Sequence, residues 1–413
     1  MKRTLLFILF FLPMLSLAVS ASEKIDGIYY NLDTDTKTAT VVFHVRYYYS
    51  GDVVIPSTVT HEGVDYSVTR IEGAAFRGSA DLTSLTIPHS VTSIGDGIFD
   101  GCTSLTSINI EEGNPVFDSR ENCNAIIETA SNTLIVGCKG STIPNGVTSI
   151  GKNAFLGCTA LTSFNIPNHV VTIGESAFEG CSGLTSINIP NSVTTFGYEA
   201  FYGCSNLTKV ELNNNALVSK NNSSSTPTPI TRIFGIQVEE YIIGKDVMSI
   251  GNYAFLDNYN LTSVIISNGV VKIGEGAFEH CIGLTSITIP NSITSIEERA
   301  FNDCFHLTDM YCYAEEVPEL GYNVFYNSNG YATLHVPAGS LETYKAAGQW
   351  KDFKSIVALT DDDPKPTGIM NVNSNVMTVE RYYTLDGKYT TTPHRGINII
   401  RMSDGTTKKI VIK

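Results

Sequence analysis

The side chains that could carry chemistry in this sequence are nine cysteines and eight histidines, and their spacing separates reactive sites from filler. Thiolates beside imidazoles would suit zinc or nucleophilic work, while cysteines in an exported chain would suit disulfides. Six of the nine, Cys102, Cys158, Cys181, Cys204, Cys281 and Cys304, stand three residues after a phenylalanine that recurs along the chain. Equivalent positions in successive repeats make a ladder of small buried thiols, a niche that Ser79 and Asn258 fill in two other repeats. A bridge between neighbouring repeats, or between Cys123 and Cys138, stays open as the alternative. His280 beside Cys281, with Cys304 and His306 one repeat on, is the one grouping that could mimic a metal site, but its cysteines belong to the ladder and would point inward. The sequence holds no Cys-x-x-Cys pair, His-Glu-x-x-His, phosphate loop or Gly-x-Ser-x-Gly elbow. Rows of like groups are poor material for a catalytic pocket, which needs unlike groups converging. The expectation is therefore no enzyme activity, no cofactor and no metal.

What positions these residues is a repeat of about 23 residues. Leu-Thr-Ser starts at Leu82, Leu105, Leu161, Leu184, Leu261 and Leu284, and the recurrent rings are Phe76, Phe99, Phe155, Phe178, Phe201, Phe255, Phe278 and Phe301. In the unit from Leu161, Phe164 and Ile166 alternate with Ser163 and Asn165, as in a strand with one buried face. Pro167 ends that strand, Val170 and Ile173 form a second short buried segment, and Ala177-Phe178 reads as a short helical turn that plants a ring under the coil. No coil can close a core around itself, so stability must come from stacking on neighbours. The expected fold is a repeat solenoid with a curved parallel β-sheet, about ten coils and on the order of 50 Å long at ~4.8 Å per strand.

The unit Leu-x-x-Ile-x-Ile-Pro, Val-x-x-Ile-Gly, Ala-Phe-x-Gly-Cys resembles the BspA-like leucine-rich repeat of surface proteins from Bacteroidetes and some protozoa. It covers residues 71–312, with two insertions at 111–149 and 213–245; Glu297 stands where glycine usually follows the buried isoleucine. The resemblance implies a leucine-rich-repeat fold and a role in adhesion or in contact between cells.

Residues 1–20 have the order of a secretory signal peptide: Lys2 and Arg3, an apolar run from Leu5 to Leu12, then small residues at Ala18, Ser20 and Ala21. Residues 21–70 read as an N-terminal β cap and 313–359 as a C-terminal cap, where Thr333–Val336 is a strand, Ser340 is the candidate N-cap of a short helix, and Trp350, Phe353 and Ile356 seal the last coil. A linker at 360–370 leads to a small β domain at 371–413, with Asp404-Gly405 as its hairpin turn. Gly387, Gly396-Ile397-Asn398-Ile399, Gly405 and Lys413 give this tail a likeness to the sorting domains that Bacteroidetes use for secretion; a plain accessory β domain is the equal alternative.

The charge of -14 argues against nucleic-acid and anionic-membrane partners. The low charged fraction, 16%, reflects a surface of Ser, Thr and Asn. Strand alternation puts two residues per coil in solvent, mostly small hydroxyls and amides such as Ser186 and Asn188, or Ser286 and Thr288, which would merely solvate the sheet. Breaks in that pattern mark the candidate binding residues: Lys209, Glu211, Ile265, Asp309, Tyr311 and the neighbouring Tyr313. Tyrosines anchor interfaces, so the C-terminal end is favoured. The expected partner is an extracellular macromolecule, a host or bacterial surface protein, met at the outer surface of a Gram-negative cell. A glycan-binding module using Tyr47, Tyr48 and Tyr49, or a structural spacer of the envelope, are the competing readings.

Overall fold

The computed structural model describes residues 22–366, apart from 224 and 226–228, together with four strands between 379 and 412. Residues 1–20, read as a signal peptide, lie outside the described residues. The chain winds as a β-solenoid of about twelve turns, each about 23 residues, with a curved parallel sheet. Eight long strands stack in one sheet: Ser186–Ile189, Lys209–Leu212, Glu240–Ile243, Ser263–Ile266, Ser286–Ile289, Asp309–Cys312, Thr333–Val336 and Ser355–Ala358. Their register sets equivalent residues side by side, so that Ser186, Lys209, Glu240, Ser263, Ser286, Asp309, Thr333 and Ser355 form one row. A second sheet uses two-residue strands such as Lys272–Ile273 and Ser295–Ile296, where β-branched residues give one buried side chain per coil.

The Ala-Phe segments are turns rather than the expected helical turns. Two residues ahead of each ring the backbone is left-handed, at Asn153 (φ 56°) and Ser176 (φ 50°) for example, and this breaks a helical path. The amide of Phe155 instead donates across to the carbonyl of Ala177 at 2.7 Å, and Phe178 to Ala200 at 2.7 Å, so these bonds join coils. The rings consequently stack along the axis: Phe155 to Phe178 at 4.9 Å, Phe178 to Phe201 at 4.9 Å, Phe255 to Phe278 at 5.0 Å and Phe278 to Phe301 at 5.3 Å. Losing one such ring costs about 3–5 kcal/mol. The cysteines behind them are all free, and Cys181, Cys204, Cys281 and Cys304 each donate to the carbonyl of the ring residue one coil earlier, at 3.1–3.2 Å. Burial raises the Cys281 and Cys304 thiols, Cys281 well above its ordinary range, so these two serve as packing and not as nucleophiles.

The two insertions differ. Residues 213–245 supply a full coil, because Glu240–Ile243 lies in the sheet between Lys209–Leu212 and Ser263–Ile266, and Phe234 takes a place in the stack 5.2 Å from Phe201. The surplus length forms two helical turns, Asn215–Val218 and Pro229–Phe234. Residues 111–149 carry the antiparallel strands Phe117–Asp118, Ile126–Glu128 and Thr133–Val136. Here Gly137 holds the ring position, its amide donating to Ala154 at 2.7 Å, and a Cβ on it would overlap the Phe155 ring. The stack is interrupted, a cavity of about 20 Å³ remains between Phe99, Gly137 and Cys158, and the core divides there into two clusters.

At the N-terminus, Ile28–Asp33 and Thr38–Val41 are antiparallel, while Val64–Ile71 runs parallel to both Thr38–Val41 and the first short repeat strand, Ser93–Ile94. At the other end Trp350 is buried against Phe325 at 5.0 Å and donates from Nε1 to Pro318. Ser340 precedes the helix Leu341–Ala346, but its hydroxyl donates to Glu315 at 2.6 Å and makes no cap bond. Beyond the linker, Gly396–Met402 and Thr407–Ile412 pair antiparallel, and the expected turn at Asp404-Gly405 lies outside the described residues.

Candidate functional site

The outward face of the long-strand sheet carries five of the six sequence-derived candidates, Tyr313 follows directly on the strand Asp309–Cys312, and the structure divides the six into two places with one residue between. Lys209 to Asp309 spans four strand steps in the register, on the order of 19 Å.

At the C-terminal place, Asp309 accepts from His335 Nε2 at 3.0 Å, and the Tyr311 ring lies 4.5 Å from the His335 ring. The register explains this, since Asp309 pairs with Thr333 and Tyr311 with His335 on neighbouring strands. The chain then returns over this group: the Tyr313 hydroxyl donates to the Pro364 carbonyl at 3.2 Å, and Asp363 lies 3.8 Å from His335 Nδ1. The amide of Thr360 holds Asp363 at 2.7 Å, fixing the bend of this strap. Burial, followed by the charges of Asp309 and Asp363, pushes the Tyr311 hydroxyl above its ordinary range; burial and Asp363 do the same for Tyr313. Both tyrosines are thus neutral, hydrogen-bonding surfaces half covered by an acidic, proline-containing segment.

Ile265 is half-buried in the row between Ile242 and Thr288. Thr288, expected in solvent, is buried, and so is Ile242.

Around Lys209 the solvent-facing expectation fails for Glu211, which is 1% exposed. Asn188 and Ile242 flank it on the adjoining strands, and the Asn213 amide donates both to Glu211 Oε1 at 2.8 Å and to Asn188 Oδ1 at 3.2 Å. Lys209 turns away to Glu240 at 2.8 Å. Glu211 Oε2 is buried and accepts no hydrogen bond from the described residues, an arrangement that costs about 1–3 kcal/mol. Burial raises the Glu211 carboxyl, outweighing the amide and Lys209, which act the other way. Glu211 lines an open polar recess of about 420 Å³ with Asn165, Asn188, Asn191 and the Lys245–Asp246 turn.

Sequence reasoning missed His335 and the asparagines. His335 follows Asp309 by 26 residues, not 23, which hides their adjacency. Asn213 was marked by occupying the place of Pro167, Pro190 and Pro290 in other coils. Of the Tyr47–Tyr49 cluster, Tyr49 is buried 4.9 Å from Phe76, Tyr47 lies under Lys24 at 3.9 Å, and only Tyr48 projects freely at 60% exposure. It is no aromatic platform. Nor does the histidine grouping converge: His280 lies between Asp257 at 2.9 Å and Asp303 at 3.5 Å, while Cys281 and Cys304 point inward. Among the described residues no three His, Cys, Asp or Glu side chains form a metal-holding group, and no helix is long and apolar enough to cross a membrane.

Stacked strand-and-turn coils around a ring ladder, with a polar outward sheet, define a leucine-rich-repeat solenoid. The model of the BspA type leucine rich repeat region matches in six copies at residues 58–133, 137–234 and 234–347, more than half of the chain, which therefore belongs to that family. Solved structures similar to it include a leucine rich cell surface protein from Faecalibacterium prausnitzii A2-165, 23% identical, covering 83% of this chain and 96% of that one at a TM-score of 0.35. A leucine-rich repeat protein from Bacteroides ovatus ATCC 8483 is 24% identical over 81% of this chain and 99% of its own, TM-score 0.33. The pneumococcal vaccine antigen PcpA is 19% identical over 83% and 86%, TM-score 0.34. No curated protein matches the chain.

Proposed function

We propose that this protein is exported to the outer cell surface and there binds another macromolecule, in adhesion or protein–protein contact, without catalysis. The partner is an extracellular protein of a host or of a neighbouring bacterium. Membership of the BspA type family supports the class of function, and the signal-like residues 1–20 and the sorting-domain likeness of 371–413 support the location.

The observation that carries the reading is the Asp309, Tyr311, Tyr313 and His335 group, which already holds a peptide segment, the chain's own Thr360–Pro366. A surface that seats an acidic, bent, proline-containing strap through tyrosine and histidine is suited to seat such a segment of a partner, with the strap as competitor.

The test is binding of the purified chain to immobilised extracellular-matrix and bacterial surface proteins. A double variant, Asp309→Ala with Tyr311→Ala, should weaken binding at least tenfold, and a chain ending at Leu359 should bind more tightly. Binding indifferent to both changes would remove the reading.

A further inference from the structure

The recess around Glu211 has features that solvation of the sheet does not explain. Its floor holds a buried carboxylate oxygen, Glu211 Oε2, with no donor among the described residues. Two departures from the repeat build the surroundings together. Asn213 stands where other coils have proline, and its amide bridges Glu211 and Asn188; Gly244 stands at the same place one coil on, where a Cβ would overlap Asn213 Oδ1. The bridging amide therefore depends on the glycine beyond it.

We propose that this recess is a binding site for a neutral saccharide, with Glu211, held by Asn213, meeting its hydroxyls at the floor and Asn165, Asn188 and Asn191 at the rim. The chemistry selects this class by exclusion and by match. The lysines nearby are already paired, Lys245 with Asp246 at 2.9 Å and Lys209 with Glu240 at 2.8 Å, so no uncompensated positive charge draws an anion. A metal ion would want several free oxygens, whereas the Asn213 amide already occupies Glu211 Oε1 and Asn188 Oδ1. An extended peptide has no strand edge to join, because Lys209–Leu212 is paired on both sides. Sugar hydroxyls donate and accept at once: they can give a hydrogen to Glu211 Oε2 and exchange bonds with amides. Ile166, Pro167 and Pro190 supply apolar wall for a sugar's C–H face, and about 420 Å³ lies within the usual range of ligand pockets.

This site is separate from the Asp309–Tyr311 group, so either proposal can fail alone. The full chain is titrated with glucose, galactose, mannose, N-acetylglucosamine and their short β-linked oligomers, reading the side-chain amide NMR signals of Asn188, Asn191 and Asn213 with calorimetry for affinity. At least one neutral sugar should bind at millimolar strength or better. Glu211→Gln and Asn213→Pro, the latter restoring the residue of other coils, should each weaken it at least tenfold, and the Asp309→Ala, Tyr311→Ala double variant should leave it unchanged. Asn165→Ala, at an exposed rim position, should weaken it severalfold without touching the buried floor. No shift with any sugar, binding unaltered by all three recess variants, or binding only of sulfated or carboxylated sugars would overturn the proposal.

Discussion

Two places on one sheet, in one register, show opposite solutions to the same problem. At Asp309 and His335 the polar groups on the outward face satisfy one another and are roofed by the strap, so the site is filled by the protein itself. At Glu211 the strand is equivalent, but one oxygen is left without a donor among the described residues and the space beside it stays open. The repeat thus fixes where side chains stand, and substitutions at single consensus positions, Asn213 for proline or His335 opposite Tyr311, decide whether a row is closed or receptive. A ladder of like coils acquires a site only where likeness is broken.

Opposite signs on stability give the largest expected separation. Replacing Glu211 with leucine removes an unsatisfied acceptor from a buried position and should raise unfolding stability by about 1–3 kcal/mol. His335→Ala removes a satisfied partner from Asp309, Tyr311 and the strap, and should lower stability by about 1–2 kcal/mol. Denaturant melts of the two variants beside the parent chain check this, and equal signs would erase the distinction.

A smaller effect is the pH dependence. Because burial lifts the folded-state carboxyl of Glu211 above its ordinary 4.5, the folded chain holds this proton longer than the unfolded chain. The folded state is therefore favoured at low pH and loses that contribution as pH rises from about 4.5 through the folded value. The stability of the parent relative to Glu211→Gln should fall over that window and level off above it. A flat difference would place the carboxylate in water.

Much of this was legible beforehand in particular residues. The spacing of Phe155, Phe178 and Phe201 put one ring under each coil, and three-residue offsets gave the buried cysteines; that the rings stack on one another came with the structure. Alternation also placed Asp309 and Tyr311 on the outward face with Lys209. It could not reveal that Glu211 is buried there, because alternation says which way a side chain points and not how closely Asn188, Ile242 and Asn213 surround it. The 54-residue interval from Phe201 to Phe255 reads as two coils plus an insertion, but the ring of the added coil was hidden, because Phe234 lies 33 residues after Phe201 and 21 before Phe255, off the period of its neighbours. The turns read as helical because alanine is the best helix former, and only the left-handed residue before it forbids the helix.

Hydrogen exchange read by mass spectrometry, on the chain alone and with an extracellular protein that it retains, tests most directly that the outward sheet is the binding surface. The account predicts slowed exchange in 309–313 and 333–336, with the strap 360–366 exchanging faster as it is displaced. Slowing confined to the turns that expose Tyr322, Tyr326 and Tyr331, with the sheet and strap unchanged, would contradict it and move the binding surface to the other side of the solenoid.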